Sequence, residues 1–295
     1  LTLCIALWPR STRLSLRTIT GTPLAETDFP SDLHRPLETV LGDLGEHINA
    51  FLENCHVVKK RLYGVMLSTA GTVDAQEGTL RYSVHSPEWG DCIPLRAYLE
   101  KIMGPLPALL VENAGKTAGR AVLLRQEGAH TGRVLTVFTA WGVSACMIEE
   151  GAILSGPLSL VGEIGHMSID PADPELCPCG RHGCLERLVS IARLRRRIAA
   201  DPPPESSPLH KLAPQSISLQ HLFFASQQGD SYARGFVTYL ADCFATMLRN
   251  VSLVFNPETV VFVGDYAAAD EYFDRCMVQQ FEQFHAADEH GDGKG

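Results

Sequence analysis

Residues 162–186 read GEIGHMSIDPADPELCPCGRHGCLE and hold the strongest chemical pattern in the chain. Three thiols fall within eight positions of this segment, at Cys177, Cys179 and Cys184, and His166 stands eleven residues before the first of them. Three cysteines and one histidine match the four ligands that structural zinc prefers in a tetrahedral site. Because four protein ligands leave no open position for water, the pattern predicts a zinc-binding loop in which the metal folds the chain.

The nitrogen ligand of this predicted site has an alternative within the same segment. His182 lies between the last two thiols and could replace His166 as the fourth ligand. We favour His166, because a ligand from a separate turn closes a larger loop. A third interpretation, reduced cysteines that hold no metal, fits the Cys-x-Cys-x₄-Cys spacing less well.

The composition of the 295 residues is that of an ordinary folded protein, with 45% hydrophobic and 20% charged residues. A net charge of −9, from 34 acidic and 25 basic residues, argues against a nucleic-acid binder. A basic cluster at Arg193, Arg195, Arg196 and Arg197 is typical of a solvated helix face rather than a phosphate contact. The apolar runs are far shorter than the ~20 residues that cross a bilayer. Nine cysteines without an export signal indicate a reducing compartment, so we expect a cytoplasmic protein with no membrane partner.

The order of the predicted elements repeats along the chain. A strand pair in 1–20, a helix over 37–59 and a strand over 61–68 form the first set. The second set comprises strands over 134–138 and 143–148, helices over 184–199 and 232–251, a strand over 259–263 and a helix around 272–284. This repetition predicts an α/β fold of two similar lobes with a cleft between them. The expected divisions are an N-terminal lobe at 1–113, a C-terminal lobe at 114–285 with the zinc loop at 162–186, and a frayed tail at 286–295.

The segment 162–186 closely resembles the signature of the ROK family, which contains repressors, open reading frames and sugar kinases. Further matches are Ser68–Asp74, Val111–Asn113 and the stretch from Glu88-Trp89 to Pro94-Leu95, so the resemblance covers most of 61–190. It implies an actin-like ATPase fold of two ribonuclease-H-like lobes with a sugar site in the cleft. It also implies zinc held by His166, Cys177, Cys179 and Cys184.

The resemblance also implies a set of sugar-binding residues. The family holds sugar hydroxyls with an Asn, with the Glu and His of a Gly-Glu-x-Gly-His turn, and with the Glu of Cys-Leu-Glu. In this chain these positions are Asn113, Glu163, His166 and Glu186. A carboxylate can accept hydrogen bonds from two vicinal hydroxyls, and an amide can both donate and accept. If zinc takes one imidazole nitrogen of His166, the other is available to a sugar hydroxyl.

The groups that a kinase of this family needs for phosphoryl transfer are altered. The family's general base is the Asp that follows the Asn, and this chain has Ala114 there. The first phosphate turn, Asp-x-Gly-x-Thr in the family, is replaced by LWPRST at 7–12, where Pro9 lacks an N–H. The second turn, Gly-Thr-Gly-x-Gly-x-Gly in the family, reads AWGVSAC at 140–146, where Trp141 is expected to fill the space. Loss of the base alone costs about 10²–10⁴-fold in rate.

These departures resemble the repressor-type branch of the family. We therefore expect the sugar-sensing effector and oligomerisation region of a ROK transcriptional regulator, inactive as a kinase. Its expected partners are a sugar or amino-sugar effector and further copies of itself. DNA would be contacted only through a helix-turn-helix domain, which we do not find because Leu1 already begins the first lobe. The alternatives are a sugar kinase of glucokinase or N-acetyl-hexosamine kinase type with divergent phosphate turns, and a pseudoenzyme that binds no sugar.

Overall fold

A computed structural model describes residues 1–125 and 132–289, with side chains up to residue 283. The chain divides into two compact units. Residues 1–125 and 153–161 form the first unit, and the second contains 132–152 and the chain from 162 onward. Each unit carries its own main sheet, and we describe each by itself.

The first unit contains seven strands and three α-helices. They are β1 (Thr2–Leu7), β2 (Ser11–Arg17), β3 (Pro23–Pro30), α1 (Leu37–Asn54), β4 (Gly64–Thr69), β5 (Thr72–Asp74), β6 (Thr79–Tyr82), α2 (Leu95–Met103), β7 (Ala108–Asn113) and α3 (Ala114–Arg125). Five of the strands form a sheet in the order β3-β2-β1-β4-β7, in which β1 and β2 are antiparallel and β4 and β7 run parallel to β1. Leu3, Ile5 and Leu7 alternate along β1 and are buried, as one face of a strand against a core requires.

The remaining elements include the second main sheet. They are β8 (Arg133–Thr139), β9 (Val143–Glu149), β10 (Ala152–Ile153), α4 (Leu185–Leu188), α5 (Ile191–Ala200), α6 (Leu219–Gln227), α7 (Ser231–Ser252), β11 (Thr259–Gly264) and α8 (Glu271–Glu289). The strand order is β10-β9-β8-β11, with β8 and β9 antiparallel and β11 parallel to β8. Phe244 of α7 packs edge-on against Phe262 of β11 and Phe273 of α8, at centroid distances of 5.3 and 5.9 Å. These rings form the aromatic core between sheet and helices.

The predicted repetition of elements is present, because the order β2-β1-β4 in the first sheet corresponds to β9-β8-β11 in the second. The compact units divide after Arg125 rather than after the expected residue 113, since α3 packs against β4 and β7. The final helix continues to Glu289, beyond the expected start of a tail at 286, and residues 290–295 lie outside the described part of the chain. Among the described helices, none combines the length and apolarity needed to cross a bilayer.

Candidate functional site

The four predicted metal ligands meet in the second unit. The ligand atoms of His166, Cys177, Cys179 and Cys184 all lie within 4.8 Å of one another. The Sγ atoms of Cys179 and Cys184 are 3.5 Å apart, and Sγ of Cys177 is 3.7 Å from Nδ1 of His166. Ligands at tetrahedral angles around zinc, with bonds of about 2.0–2.3 Å, are separated by about 3.5–3.8 Å. The four side chains therefore fit a zinc ion.

The pKa values of the three thiols in this cluster are shifted in different directions. Burial raises the pKa of Cys177 and of Cys184. Burial also opposes ionisation of Cys179, but the backbone N–H of Arg181 and the neighbouring thiols outweigh it, so the pKa of Cys179 is lowered. A bound dication deprotonates coordinating thiols, and this set of donors would then be three thiolates and an imidazole.

Glycines let the backbone of the loop lie against its neighbours. A Cβ at Gly162 or at Gly165 would come within 2.1 Å of a carbonyl oxygen of β9. Gly183 has a φ of +65°, and a Cβ there would lie 1.8 Å from the carbonyl oxygen of Asp170. Real side chains cannot occupy these positions, so the glycines fix how closely the loop approaches β9 and folds on itself.

His182, the alternative nitrogen ligand, lies outside the cluster. Its Nδ1 is 3.0 Å from the carbonyl oxygen of Asp173. The histidine that joins the thiols is His166, through Nδ1. Because the two nitrogens of an imidazole point in different directions, Nε2 of His166 is directed away from Cys177.

A carboxylate that sequence reasoning missed holds the loop from outside. Glu175, just before the first thiol, is bound by Arg187, by Arg196 at 2.8 Å and by Arg193 at 3.4 Å. Arg193 also binds Asp173 at 2.5 Å, and this hydrogen bond lowers the pKa of Asp173. The sequence does contain a signal for this network. Asp173 and Glu175 are two acids close to each other, and Arg193 and Arg196 follow at a spacing that places both on one face of a helix.

The interpretation of the basic cluster as a solvated face is correct for Arg196 and Arg197, which are exposed, and wrong for Arg193 and Arg195, which are half-buried. Arg193 is bound in this network and only 19% exposed, and Arg195 donates to a backbone carbonyl before α6. The guanidinium of Arg197 lies 4.3 Å from the ring centroid of Tyr239. Arg196 is 57% exposed, yet it too binds the carboxylate before the first thiol. Arg193 and Arg196 thus anchor the loop, whereas Arg195 and Arg197 have their partners elsewhere in the second unit.

The two predicted sugar-binding carboxylates lie at the start of β9. Oε2 of Glu186 accepts the backbone N–H of Val143 at 2.9 Å, which ties this half-buried side chain to the strand. Glu163 is also half-buried and stands between Gly162 and Gly165, the glycines that contact β9. The second unit therefore collects both carboxylates and the ligand histidine beside one strand end.

Asn113, the fourth predicted sugar-binding residue, lies in the first unit at the end of β7. Its Oδ1 accepts the backbone N–H groups of Gly115 at 2.8 Å and Lys116 at 3.2 Å, which caps α3. Its Nδ2 donates to the carbonyl of Gly71 at 2.8 Å, so a second amide hydrogen is left for another acceptor. Ala114, at the expected base position, begins α3 with a buried methyl group.

The two phosphate turns have the residues that the sequence analysis noted. In the first, the N–H of Trp8 donates across the hairpin to the backbone carbonyl of the first residue of β2 at 3.1 Å, and Pro9 is buried. In the second, Trp141 is 44% exposed, and its position relative to a phosphate stays a prediction. Gly264 at the end of β11 is required by packing, because a Cβ there would lie 1.8 Å from the carbonyl oxygen of Thr139.

Comparison with known proteins gives consistent results at the level of family. A model described as ROK family matches residues 3–291. Glucokinase from Thermotoga maritima is 29% identical over 214 residues, which are 70% of this chain and 65% of that protein. N-acetylmannosamine kinase from Salmonella typhi is 27% identical over 290 residues, 97% of this chain and 88% of that protein. A crystal structure of a ROK family transcriptional regulator, a homologue of the E. coli Mlc protein, gives a TM-score of 0.82 at 23% identity over 96% of this chain and 69% of that one, which shows the fold.

These comparisons confirm the expected family and the α/β fold of actin-like ATPase type. They do not single out the repressor-type branch, since kinases and a regulator both occur among the similar proteins. The expectation of an inactive regulator region is contradicted, because relatives that match most of the chain are named as sugar kinases. The expectation was based on the altered phosphate turns alone, whereas the similarity to sugar kinases extends over most of the chain.

Proposed function

Because the chain belongs to the ROK family, we propose that it is a sugar kinase of that family, which binds a hexose or an N-acetylated hexosamine and phosphorylates it from ATP with divergent phosphate turns. One observation carries the proposal: Glu163, His166 and Glu186 are gathered at one end of β9, with His166 joined to the thiol cluster through Nδ1. The relatives named glucokinase and N-acetylmannosamine kinase support this substrate class.

Each proposed sugar contact follows from the hydrogen-bond donors and acceptors that the side chain carries. The carboxylates of Glu163 and Glu186 accept hydrogen bonds from sugar hydroxyls, which are stronger when the acceptor is charged. Nε2 of His166 faces away from the thiols and bonds another hydroxyl. Within the first unit, Asn113 keeps one amide hydrogen for a further acceptor, because its oxygen caps α3 and its other amide hydrogen is donated to Gly71. Vicinal hydroxyls of a pyranose match such a set of acceptors and donors.

We assign a structural role to zinc at the four-ligand cluster. When bound, the ion supplies the positive charge that keeps three thiolates together in a half-buried loop. The chain itself orients the loop, through the glycines against β9 and through the arginines on Glu175. The ring of His166 is thereby held in one orientation toward a sugar hydroxyl.

Phosphoryl transfer in this chain proceeds without a carboxylate at the usual position. The transition state of phosphoryl transfer is loose and needs little covalent help, so positioning carries most of the catalysis. A general base contributes about 10²–10⁴-fold, and Ala114 cannot accept a proton. The proton of the attacking hydroxyl therefore passes to water, and we expect a slow kinase.

The test is sugar-dependent turnover and binding measured on one preparation. The chain is incubated with ATP, Mg²⁺ and a panel of hexoses and N-acetylhexosamines, and release of ADP is followed together with calorimetric titration of each sugar. We expect saturable binding of at least one sugar and slow ADP release that depends on that sugar. Glu163→Gln should weaken sugar binding by about 10–100-fold, since a hydrogen bond to a charged group contributes about 1.5–3 kcal/mol.

Glu205→Gln is the matched control, because Glu205 is an exposed carboxylate in the loop before α6. This control should bind sugar like the unaltered chain. Sugar binding without any sugar-dependent ADP release would contradict the kinase. Absence of binding heat with every sugar would contradict the sugar site as well.

A further inference from the structure

The buried charged side chains differ in whether they have a partner. Within the part of the chain that the structure describes, the buried charged residues are Glu112, Lys116, Asp173 and Asp270. Each of the three carboxylates has a partner: Arg120 binds the first, Arg193 binds the second, and the third accepts the backbone N–H of Phe273. Lys116 is only 6% exposed, and its ammonium has neither a hydrogen bond nor an ion pair with any described residue.

An unpaired ammonium in the interior is costly, because it loses its hydration and gains no compensating charge. Lysine is rarely buried this far unless it is paired. Methionine has a side chain of similar length and would avoid the cost, so the fold alone gives no reason for a lysine at position 116. A buried ionisable group of this kind is a candidate for a functional role. Because an ammonium donates hydrogen bonds and accepts none, its ligand is an anion.

Lys116 is the third residue of α3 and lies beside residues of the proposed sugar site. Side chains of a helix tilt toward its N-terminus, so Lys116 covers the first turn of α3. That turn begins with Ala114, where the family has the carboxylate that takes the proton of the attacking hydroxyl, and it is capped by Asn113. The backbone N–H of Lys116 donates to Oδ1 of Asn113 at 3.2 Å. The ammonium is therefore at the end of α3 where the proposed function places the attacking hydroxyl.

Neighbouring polar groups of this turn already have partners. The backbone N–H of Gly115 donates to Oδ1 of Asn113 at 2.8 Å, and Oγ1 of Thr117 donates to the carbonyl of Asn113 at 3.0 Å. The carboxylate of Glu112 accepts from the N–H of Asn113 and from Arg120. The N-terminal end of a helix also carries partial positive charge. What this turn offers a ligand is thus positive charge.

We infer that Lys116 binds the phosphoryl group at the attacking hydroxyl, as the γ-phosphoryl of ATP before transfer and as the phosphate of the product afterwards. This inference rests on the proposed function, which places a sugar at Asn113. In the transfer, the sugar oxygen forms a bond to phosphorus, the bond from phosphorus to the bridging oxygen of ADP breaks, and the hydroxyl proton passes to water. An ammonium beside the phosphoryl oxygens stabilises the negative charge that they carry in the transition state.

The altered phosphate turns explain why such a cation is useful here. Pro9 in the first turn has no N–H, and one glycine is left in the second. Where backbone N–H groups contribute less to a phosphate site, a lysine side chain supplies positive charge in their place. The same contact gives the chain affinity for a sugar phosphate, because the product carries the phosphoryl group at the same position.

The test compares the binding of sugars, sugar phosphates and a nucleotide by calorimetric titration. Glucose and N-acetylmannosamine are titrated into the full chain, then the 6-phosphates of both sugars, and then AMP-PNP with Mg²⁺ in the presence of the sugar that binds. Lys116→Met removes the charge and keeps the length of the side chain. We expect it to weaken binding of the 6-phosphate and of AMP-PNP by about 10–100-fold and to change binding of the sugar itself by less than about twofold.

Lys60→Met is the matched control, since Lys60 is an exposed lysine of the same unit and the same substitution is made. It should bind every ligand like the unaltered chain. Lys116→Arg keeps the charge and should retain most of the affinity for the 6-phosphate. Lys116→Gln provides a second uncharged variant if Lys116→Met fails to fold by circular dichroism.

Equal affinity of the unaltered chain and Lys116→Met for the 6-phosphates and AMP-PNP would overturn the inference and leave the sugar site intact. An effect on the 6-phosphates alone would overturn the role in transfer and identify an anionic sugar as the ligand, whereas an effect on AMP-PNP alone would overturn the contact with the product. Equal weakening of the unphosphorylated sugar would show a structural role and overturn the inference. Absence of binding heat with the sugars alone would contradict the proposed function, and its absence with the phosphates as well would overturn both.

Discussion

Two regions of the molecule depend on backbone geometry: the loop that carries the thiols, and the pair of phosphate turns. The loop has its family glycines, whereas the turns have lost most of theirs. In the loop, Gly162, Gly165 and Gly183 sit where any Cβ would meet a carbonyl oxygen within 2.1 Å. In the second phosphate turn, one glycine is kept and Trp141 is 44% exposed. In the first, Pro9 is buried within the hairpin.

The difference lies in what each glycine is needed for. A glycine that permits close packing inside the protein is required for folding itself, whether or not a ligand is present. A glycine that permits close approach of a phosphate is required only when the phosphate is bound. The loop glycines are of the first kind, because a Cβ at each of them would meet backbone atoms. Substitutions in the loop should therefore affect folding, whereas substitutions in the phosphate turns should affect turnover.

The largest effect is expected at the most crowded glycine of the loop. Gly183→Ala places a methyl group 1.8 Å from the carbonyl oxygen of Asp170 at a φ of +65°. The backbone must move, so we expect a loss of more than about 4 kcal/mol in the free energy of unfolding and loss of bound zinc. Chemical denaturation and elemental analysis measure the two effects.

Gly180→Ala is the control in the same loop. Gly180 has a φ of +85°, but a Cβ there meets nothing within 4 Å. Only the left-handed conformation is penalised, at about 1–2 kcal/mol. If Gly183→Ala were as mild as Gly180→Ala, the packing explanation of the loop glycines would be wrong.

The effect of the altered phosphoryl-transfer residues can be tested by restoring the carboxylate that the family has at position 114. Ala114→Asp places a carboxylate at the first position of α3, where negative charge is also favoured by the helix dipole. We expect the rate of sugar-dependent ADP release to rise by about 10²–10⁴-fold. Ala114→Asn has nearly the same shape but a far weaker base, and it should stay at the original rate. Equal rates for Asp and Asn would show that the missing base does not limit turnover.

A smaller effect is expected at the ion pair that anchors the loop. The hydrogen bond from Arg193 lowers the pKa of Asp173, so this carboxylate stabilises the fold at pH values above its unfolded pKa of about 3.9. That contribution is lost as the pH falls through the lowered folded pKa. Asp173→Asn should therefore cost about 1.5–3 kcal/mol at pH 7 and much less at pH 2.

Urea denaturation of both proteins at the two pH values measures this difference. Loss of zinc at low pH affects both proteins alike and is removed by the comparison. A difference that persists unchanged at pH 2 would mean that Asp173 acts through packing rather than charge.

The sequence is most informative where a pattern is local. Alternation of Leu3, Ile5 and Leu7 predicted β1, and the cysteine spacing predicted which residues meet in the cluster. α3 was missed because its first turns contain Gly115 and Gly119, which lower helix propensity. That helix forms because Asn113 caps it and strands lie beneath it.

The parts of the site that were missed depend on partners distant in sequence. Nothing near Asn113 indicates that its amide bonds Gly71, 42 residues earlier. Likewise, the pairing of Arg193 and Arg196 could not be predicted because their partner, Glu175, lies about twenty residues away across a loop. Spacing indicates which side chains share a face, but only the folded chain decides which group each of them meets.

The hydrogen bond from the backbone N–H of Val143 to Glu186 joins the second phosphate turn to a proposed sugar-binding residue. Val143 lies within residues 140–146, which correspond to the second phosphate turn, and its N–H donates to an oxygen of a proposed sugar-binding carboxylate. A hydroxyl that competes for that oxygen lengthens the bond and shifts the nitrogen and proton resonances of Val143. The chemical shifts of this amide, measured by nuclear magnetic resonance, would therefore report whether binding of a sugar at Glu186 alters the backbone of the second phosphate turn.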